Sequence, residues 1–319
     1  MQAKSHPQEI AVTEPAATVS IELTAVLVAV TGEEPRVLTI DNGSALPSGP
    51  LESAHRTLQM GLRSWVERQT GHALGYIEQL YTFADRDRTG ADGRVISICY
   101  LGLTREAQES GDHDPGWRSW YRYFPWEDWR AGPSPLVADV IRPRLEAWVA
   151  EAPDPATRRD RAQRVEIGFG ADDRHWNEDM VLQRYELLYE ARLVPEAGRR
   201  RGPVRDPLPG VPMRHDHRRI LATGIARLRA KIKYRPVVFE LMPPEFTLLQ
   251  LQRTVEALAG RRLHKQNFRR LIDQQGLVEE TGRMSTATGG RPAKLYRFRR
   301  EILLERAVAG TKLPLSRSA

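Results

Sequence analysis

The sequence predicts an α/β domain, a mixed sheet flanked by helices, followed by a smaller unit of three helices closed by a two-stranded wing. Three observations predict it. Over the first 150 residues, apolar runs of strand length bounded by turn residues alternate with helical spacing. Beyond residue 210, apolar residues recur at helical spacing three times, then give way to two short β-rich runs around a glycine-rich excursion. The charge also changes sign: residues 210–319 carry 23 Lys and Arg against 9 Asp and Glu, whereas residues 1–209 carry 25 against 32. A basic unit joined to an acidic one points to a polyanion-binding module attached to something else.

A length of 319 residues suits two domains. At 40% hydrophobic and 28% charged residues, a packed core is expected rather than wholesale disorder. Cys99 is the single cysteine and lies in the apolar run 95–101, so it reads as an inert core thiol; a disulfide framework and a Cys-only zinc site are excluded. The first residues have no apolar stretch of the kind a secretory signal needs. The longest apolar stretch, 23–30, falls short of the roughly 18 residues that suggest a membrane span. A cytoplasmic protein with no membrane partner is expected.

Residues 1–19 read as a flexible tail. Strands at 21–30 and 36–40 form a hairpin through Gly32-Glu33-Glu34-Pro35. Leu58, Leu62, Trp65 and Val66 place a helix over 53–69, stopped by Gly71. Strands at 77–83 and 95–103 flank a polar turn, and a tryptophan-rich stretch, 117–129, follows. A helix is expected at 136–149, with Pro143 starting or kinking its main part. The first domain is thus 20–150. Residues 151–209 form a helical connector and linker, with 151–157 as linker, a helix near 180–193, and a Pro/Gly/Arg stretch marking the boundary. The second domain is 210–303, and 304–319 is a tail.

In the second domain, Leu221, Ile225, Leu228 and Ile232 mark one helix with Asp216 as its cap. Thr247 caps another, whose buried face is Leu248, Leu251, Val255 and Leu258 and which Gly260 ends. The third, 264–274, turns Phe268, Leu271 and Ile272 inward. The last two form a winged helix-turn-helix with the β-runs after them, and such a motif lays its second helix in the DNA major groove. Gln266 and Asn267 can pair bidentately with adenine, and Lys265, Arg269 and Arg270 can bind guanine or phosphate. Arg261 and Arg262 suit backbone contacts from the turn. In the wing, Arg283, Arg291 and Lys294 are groove or phosphate candidates. Double-stranded DNA is the expected partner.

Four segments of this half carry a family resemblance: the run 233–247, Leu251-Gln252, Asn267-Phe268-Arg269-Arg270, and the run 290–298. In this order they resemble the winged-helix half of the Nudix-related transcriptional regulators, the NrtR family and its NadQ-like branch. The resemblance implies repression of genes for NAD biosynthesis or salvage by a homodimer on a palindromic operator.

The segment from Leu46 to Gly71 is similar to the Nudix box, a loop–helix–loop whose Glu pair holds Mg²⁺ on a diphosphate. Aligned from Thr70-Gly71, that Glu pair falls on Arg68 and Gln69, and the Arg-Glu pair before it on Ser64 and Trp65. A shift of one residue puts Arg63 and Glu67 on family positions, but it misplaces Thr-Gly and still leaves Arg68 where the second Glu belongs. In either register the metal site is gone, so a Nudix-like domain with no catalytic residues, no metal and no required cofactor is expected. The runs 79–88 and 93–101 resemble strands and turn of the NrtR-type Nudix domain. They imply an adenine-nucleotide effector: NAD, ADP-ribose or ATP. Arg56, Arg63, Arg68, Arg86 and Arg88 are the phosphate candidates, and Tyr81, Trp126 and Trp129 the stacking candidates.

His215-Asp216-His217 does not read as a metal site, because two such His on a loop cannot easily face one ion. No Walker loop, Gly-x-Ser-x-Gly or Rossmann glycine pattern is present. Two alternatives stay open: an active Nudix pyrophosphatase fused to a DNA-binding domain, and a Nudix-type regulator of another pathway.

Overall fold

The chain enters a hairpin of β1 (Val19–Thr31) and β2 (Glu34–Leu38), then reaches a short β3 (Ser48–Pro50) and helix α1 (Leu58–Thr70). Strands β4 (Tyr76–Phe83), β5 (Thr89–Gly90), β6 (Gly93–Leu103) and β7 (Trp117–Ser119) complete the sheet. The computed structural model describes residues 19–72, 74–84, 89–90, 93–106, 116–170, 176–286, 292–299 and 301. The sheet order is β4-β6-β1-β2-β7, with β3 added on β1 and β5 on β6. Among the described strands only β1 and β6 run parallel, over ten pairs from Val19↔Arg94 to Val28↔Leu103; the sheet is therefore mixed, as expected.

Both faces of β1 are covered, which explains its unbroken apolar run. Leu23, Ala25, Leu27 and Ala29 share one core with Leu62 and Val66 of α1. Val26 and Val28 look the other way, into a larger core. Cys99 is buried in that larger core, as its sequence context indicated. Helix α1 begins at Thr57, whose hydroxyl accepts from Met60 N, and ends at Gly71 in the left-handed conformation, φ +70°.

The expected helix at 136–149 is two elements: a π-helical turn, Leu136–Ile141, running into α2 (Arg142–Ala150) with Pro143 in its first turn. The segment 151–157, expected as a linker, instead starts α3 (Pro155–Phe169); Asp154 caps it by accepting from Ala156 N and Thr157 N. The residues α3 buries, Val165, Gly168 and Phe169, all sit in its last turns, so no apolar period announces it. Helix α4 (Val181–Glu190) is the expected connector, and a short α5 (Gly198–Arg201) follows.

Helix α6 (His217–Ile232), expected in the C-terminal unit, lies on the sheet. A Cβ on its Gly224 would come within 2.8 Å of Val26, and Arg219 binds Glu186 of α4 at 2.6 Å. Asp216 precedes α6 without a side-chain cap bond. The chain then builds α7 (Leu248–Ala259), α8 (Lys265–Gln275) and the antiparallel pair β8 (Val278–Ser285) and β9 (Ala293–Phe298). Phe246 extends that pair by exchanging backbone bonds with Tyr296 at 2.8 and 3.0 Å, and Phe239 stacks on Phe298 at 4.2 Å. Among the described residues no helix is long and apolar enough to cross a membrane.

Candidate nucleic-acid interface

Helices α7 and α8 form the helix-turn-helix. Thr247 and Gln250 make a reciprocal capping box at the start of α7, and Gly260 ends it with φ +73°. The turn is organised by Glu256, only 2% exposed, which accepts from Leu263 N at 3.0 Å, Gln252 Nε2 at 2.8 Å, Arg262 Nη1 at 2.8 Å and Arg253 Nη1 at 3.1 Å. Burial pushes the Glu256 carboxyl up, but the Leu263 N–H and the Arg262 and Gln252 hydrogen bonds outweigh it and hold the group below the ordinary carboxylate range.

Helix α8 anchors itself through Phe268 and Ile272 and leaves Lys265, Gln266, Asn267, Arg269 and Arg270 exposed in one basic, amide-bearing face. Four further expected cations have an acidic partner: Arg261 lies 3.9 Å from Glu178, Arg262 binds Glu256, Arg283 pairs with Glu245, and Lys294 binds Glu280 at 2.8 Å. Arg291 lies outside the described residues.

The helix-turn-helix is joined to the sheet domain by an ionic cluster that the sequence reading missed. Glu127 is 1% exposed and accepts from Arg184 of α4 at 2.6 and 2.8 Å and from Arg229 of α6 at 2.7 Å; both guanidiniums are fully buried. Arg229 also donates to Leu258 O, at the end of α7, at 2.8 Å. Beside it, Trp129 N donates to Gly260 O at 2.7 Å, and Tyr121 Oη donates to Ala257 O at 2.7 Å. A Cβ at Gly260 would stand 2.4 Å from Glu127 O, so this turn position requires glycine twice over. The available signal was an arginine beside the apolar face of each amphipathic helix, Arg184 next to Tyr185 and Arg229 next to Leu228.

At the Nudix-box position, α1 buries Leu62 and Val66 and turns Glu67, Arg68 and Gln69 outward. Gln69 clamps β3: its amide donates to Ser48 O at 2.8 Å and accepts from Ser48 N at 3.1 Å. Trp65 donates to Pro50 O at 2.9 Å and packs so closely on Gly49 that a Cβ there would lie 2.2 Å from its ring. Arg68 lies over the Trp65 ring at 4.5 Å. Arg63 donates to the carbonyls of Leu74 and Gly75, holding the exit from α1. Arg56 and Tyr81 are exposed, whereas Arg86 and Arg88 lie outside the described residues. Trp126 is a correction: it is fully buried between Phe124 and the Arg218 guanidinium, with no ring face open to stack on a base. Trp129 is likewise occupied, stacked on Trp176 at 4.2 Å.

Residues 238–298 match the family model of the NrtR DNA-binding winged helix domain. Over 83 residues, 26% of this chain, the sequence is 46% identical to the ADPR responsive transcriptional repressor NtrR of Acinetobacter baylyi; the match spans about a third, 33%, of that relative's length. Two solved structures of NrtR from Shewanella oneidensis resemble the fold: one alone, at TM-score 0.51 and 18% identity over 92% of this chain and 98% of that one, the other complexed with a 27mer DNA, at TM-score 0.50 and 19% identity over 92% and 97%. The C-terminal unit therefore matches the NrtR winged helix, and the chain as a whole shares the fold of the solved NrtR structures.

Proposed function

We propose that this chain is a DNA-binding transcriptional repressor of NAD biosynthesis or salvage genes, controlled by an adenine nucleotide held in its Nudix-like domain. The observation that carries the reading is the α8 face: five basic or amide side chains, exposed together on the second helix of a helix-turn-helix, within the segment 238–298 that matches the NrtR winged-helix model. In this reading Gln266 and Asn267 touch base edges, Lys265, Arg269 and Arg270 touch guanine or phosphate, and Arg261, Arg262, Arg283, Arg291 and Lys294 anchor the backbone. A homodimer on a palindromic site follows from the usual symmetry of such motifs. A cytoplasmic location goes with that role.

ADP-ribose is the favoured effector, because the relative from Acinetobacter is described as responding to it; NAD and ATP are the other adenine nucleotides the reading admits. Arg56 and Arg68 are its phosphate contacts from the described part of the domain, with Arg86 and Arg88 beyond it, and Tyr81 its exposed aromatic platform. Arg63 is bound to backbone carbonyls and contributes by shaping the site. Hydrolysis is not part of this function. The positions that would hold Mg²⁺ on a diphosphate carry Arg68, a cation, and Gln69, whose amide is spent on β3. No cofactor is required.

The test is selection of duplexes from a random pool by the purified chain, followed by footprinting, together with thermal shifts and AMP release measured with ADP-ribose, NAD and ATP, with and without Mg²⁺. A protected inverted repeat, a raised melting point with one nucleotide and no AMP are expected. Mg²⁺-dependent release of AMP would favour the pyrophosphatase, and a shift with another metabolite alone would move the regulator to another pathway.

A further inference from the structure

The β1–β2 hairpin closes through Gly32 and Glu33, both at positive φ, +58° and +65°. Two-residue hairpin turns of this kind are normally filled by Asn and Gly, because a glutamate in the left-handed region is disfavoured. Here the glutamate is fixed in it. Glu33 O accepts from Arg130 Nη1 at 2.6 Å, and its carboxylate reaches the helix-turn-helix, 3.6 Å from Arg253 Nε and 3.7 Å from Arg262 Nη1. An unusual conformation held by surrounding contacts is a reason to look for a role.

The two guanidiniums form one site. Arg253 and Arg262 both donate to Glu256 Oε2, at 3.1 and 2.8 Å. One buried carboxylate thus serves two cations, leaving a net positive charge that faces outward, and Glu33, 52% exposed, sits over it. The outer contact is loose. Arg253 Nε has no hydrogen-bond partner among the described residues, and neither distance to Glu33 is that of a hydrogen bond. Arg253, half-buried, lies one turn of α7 beyond the exposed Leu249 and Gln250, and Arg262 lies in the turn that leads into α8.

We propose that Arg253 and Arg262 form a binding site for a DNA backbone phosphate, and that Glu33 occupies this site when DNA is absent. The proposal rests on the DNA-binding reading above and adds to it a second phosphate ligand, Arg253, and an internal competitor. On DNA, a phosphate oxygen replaces the Glu33 carboxylate, which turns to solvent. A half-exposed ion pair is weak enough to exchange in this way. Because Glu33 stands on the hairpin of the sheet domain, a shift of that hairpin changes how strongly the DNA-binding unit is screened.

The experiment measures binding of the full chain to a short labelled duplex of mixed sequence across a salt series, so that phosphate contacts dominate. Three single variants, Glu33→Asn, Arg253→Gln and Arg262→Gln, are compared with the doubles that combine Glu33→Asn with each arginine change. Asn suits the left-handed turn position, so the fold is retained. Glu33→Asn is expected to tighten binding about two- to fivefold. Each arginine variant is expected to weaken it and to reduce the salt slope by about one. The gain from Glu33→Asn is expected to vanish in either double. Unchanged or weaker binding by Glu33→Asn, or arginine variants with an unaltered salt slope, would overturn the proposal and leave DNA binding standing. No binding of any duplex by the parent chain would overturn both.

Discussion

Arg229 Nη1 donates to Glu127 Oε2 at 2.7 Å with both side chains withdrawn from solvent. Glu127 belongs to the tryptophan-rich segment that leaves β7, Arg229 belongs to α6, and the same guanidinium holds the last turn of α7 through Leu258 O. Sheet domain, connector and winged helix thus meet at one ionic cluster, with Arg229 bridging the Glu127 carboxylate to the end of α7. Removing that carboxylate strands two buried cations. Glu127→Ala is expected to cost about 3–5 kcal/mol, read as a large fall in the melting temperature. Replacing Glu127, Arg184 and Arg229 together by Leu, Met and Met is expected to recover only part of that loss: no charge is stranded, but the carbonyls of Gly168, Asn177, Glu178 and Leu258 lose their guanidinium donors.

Gly260→Ala is expected to act at the same joint from the other side. Its Cβ would meet Glu127 O at 2.4 Å in a left-handed turn that alanine adopts poorly. A loss of more than about 1 kcal/mol in stability and a weaker affinity for DNA are expected. Thermal unfolding and DNA titration of the one variant check both.

In the segment that resembles a Nudix box, Gln69→Ala is expected to free β3 at a cost of about 1–2 kcal/mol for its two backbone bonds. Gln69→Glu is expected to lose the donated bond to Ser48 O and to gain no Mg²⁺-dependent hydrolysis, since Arg68 still repels the ion. Melting curves and an AMP-release assay on the two variants decide the matter.

Acid is expected to loosen the helix-turn-helix. The Glu256 and Glu178 carboxyls are held below the ordinary value of 4.5: burial raises each, and hydrogen bonds outweigh it, from Leu263 N and Arg262 to Glu256 and from backbone and Lys233 to Glu178. A depressed folded value means the stabilisation is complete above pH 4.5 and is lost as pH falls through the folded values. Thermal unfolding between pH 7 and pH 3 is expected to show a plateau followed by a decline, with the onset of the decline moved in Glu256→Gln.

Much of this architecture was legible because local signals agreed with the tertiary fold. Thr247 as a cap, Gly260 and Gly71 as helix stops, and the inward Phe268 and Ile272 are found where expected, whereas Leu271 is only half-buried and α1 starts at Leu58 rather than near residue 53. Helix α3 was not legible, since it buries side chains only at its C-terminal end. The assignment of α6 to the second unit failed for a different reason. Its apolar face states that it packs, and only contact with Val26 and α4 states against what. Charged core residues were the least visible. Nothing in the sequence analysis singled out Arg184, Arg218 and Arg229, whose burial shows only with Glu127, Glu196 and the backbone carbonyls around them. Trp126 differs, an aromatic whose position in the sequence suggested a ligand platform and whose burial makes it core.

On the α8 face, Asn267→Ala and Gln266→Ala are expected to lower discrimination between the selected duplex and a scrambled one by about 1–3 kcal/mol for a base-reading side chain. Arg269→Gln and Arg270→Gln are expected to weaken both duplexes together and to flatten the salt dependence where the side chain meets phosphate. Competition titrations with the two duplexes separate the classes.

Coupling of a nucleotide to DNA within one chain is the core of the proposed function. Its most direct test is the affinity of the full chain for the duplex it selects, measured with saturating ADP-ribose and without it, in Mg²⁺-free buffer. A change in affinity of about 5- to 150-fold, matched by the reciprocal change in ADP-ribose affinity on DNA, is the expected result. DNA affinity that stays the same with ADP-ribose, NAD and ATP would contradict it.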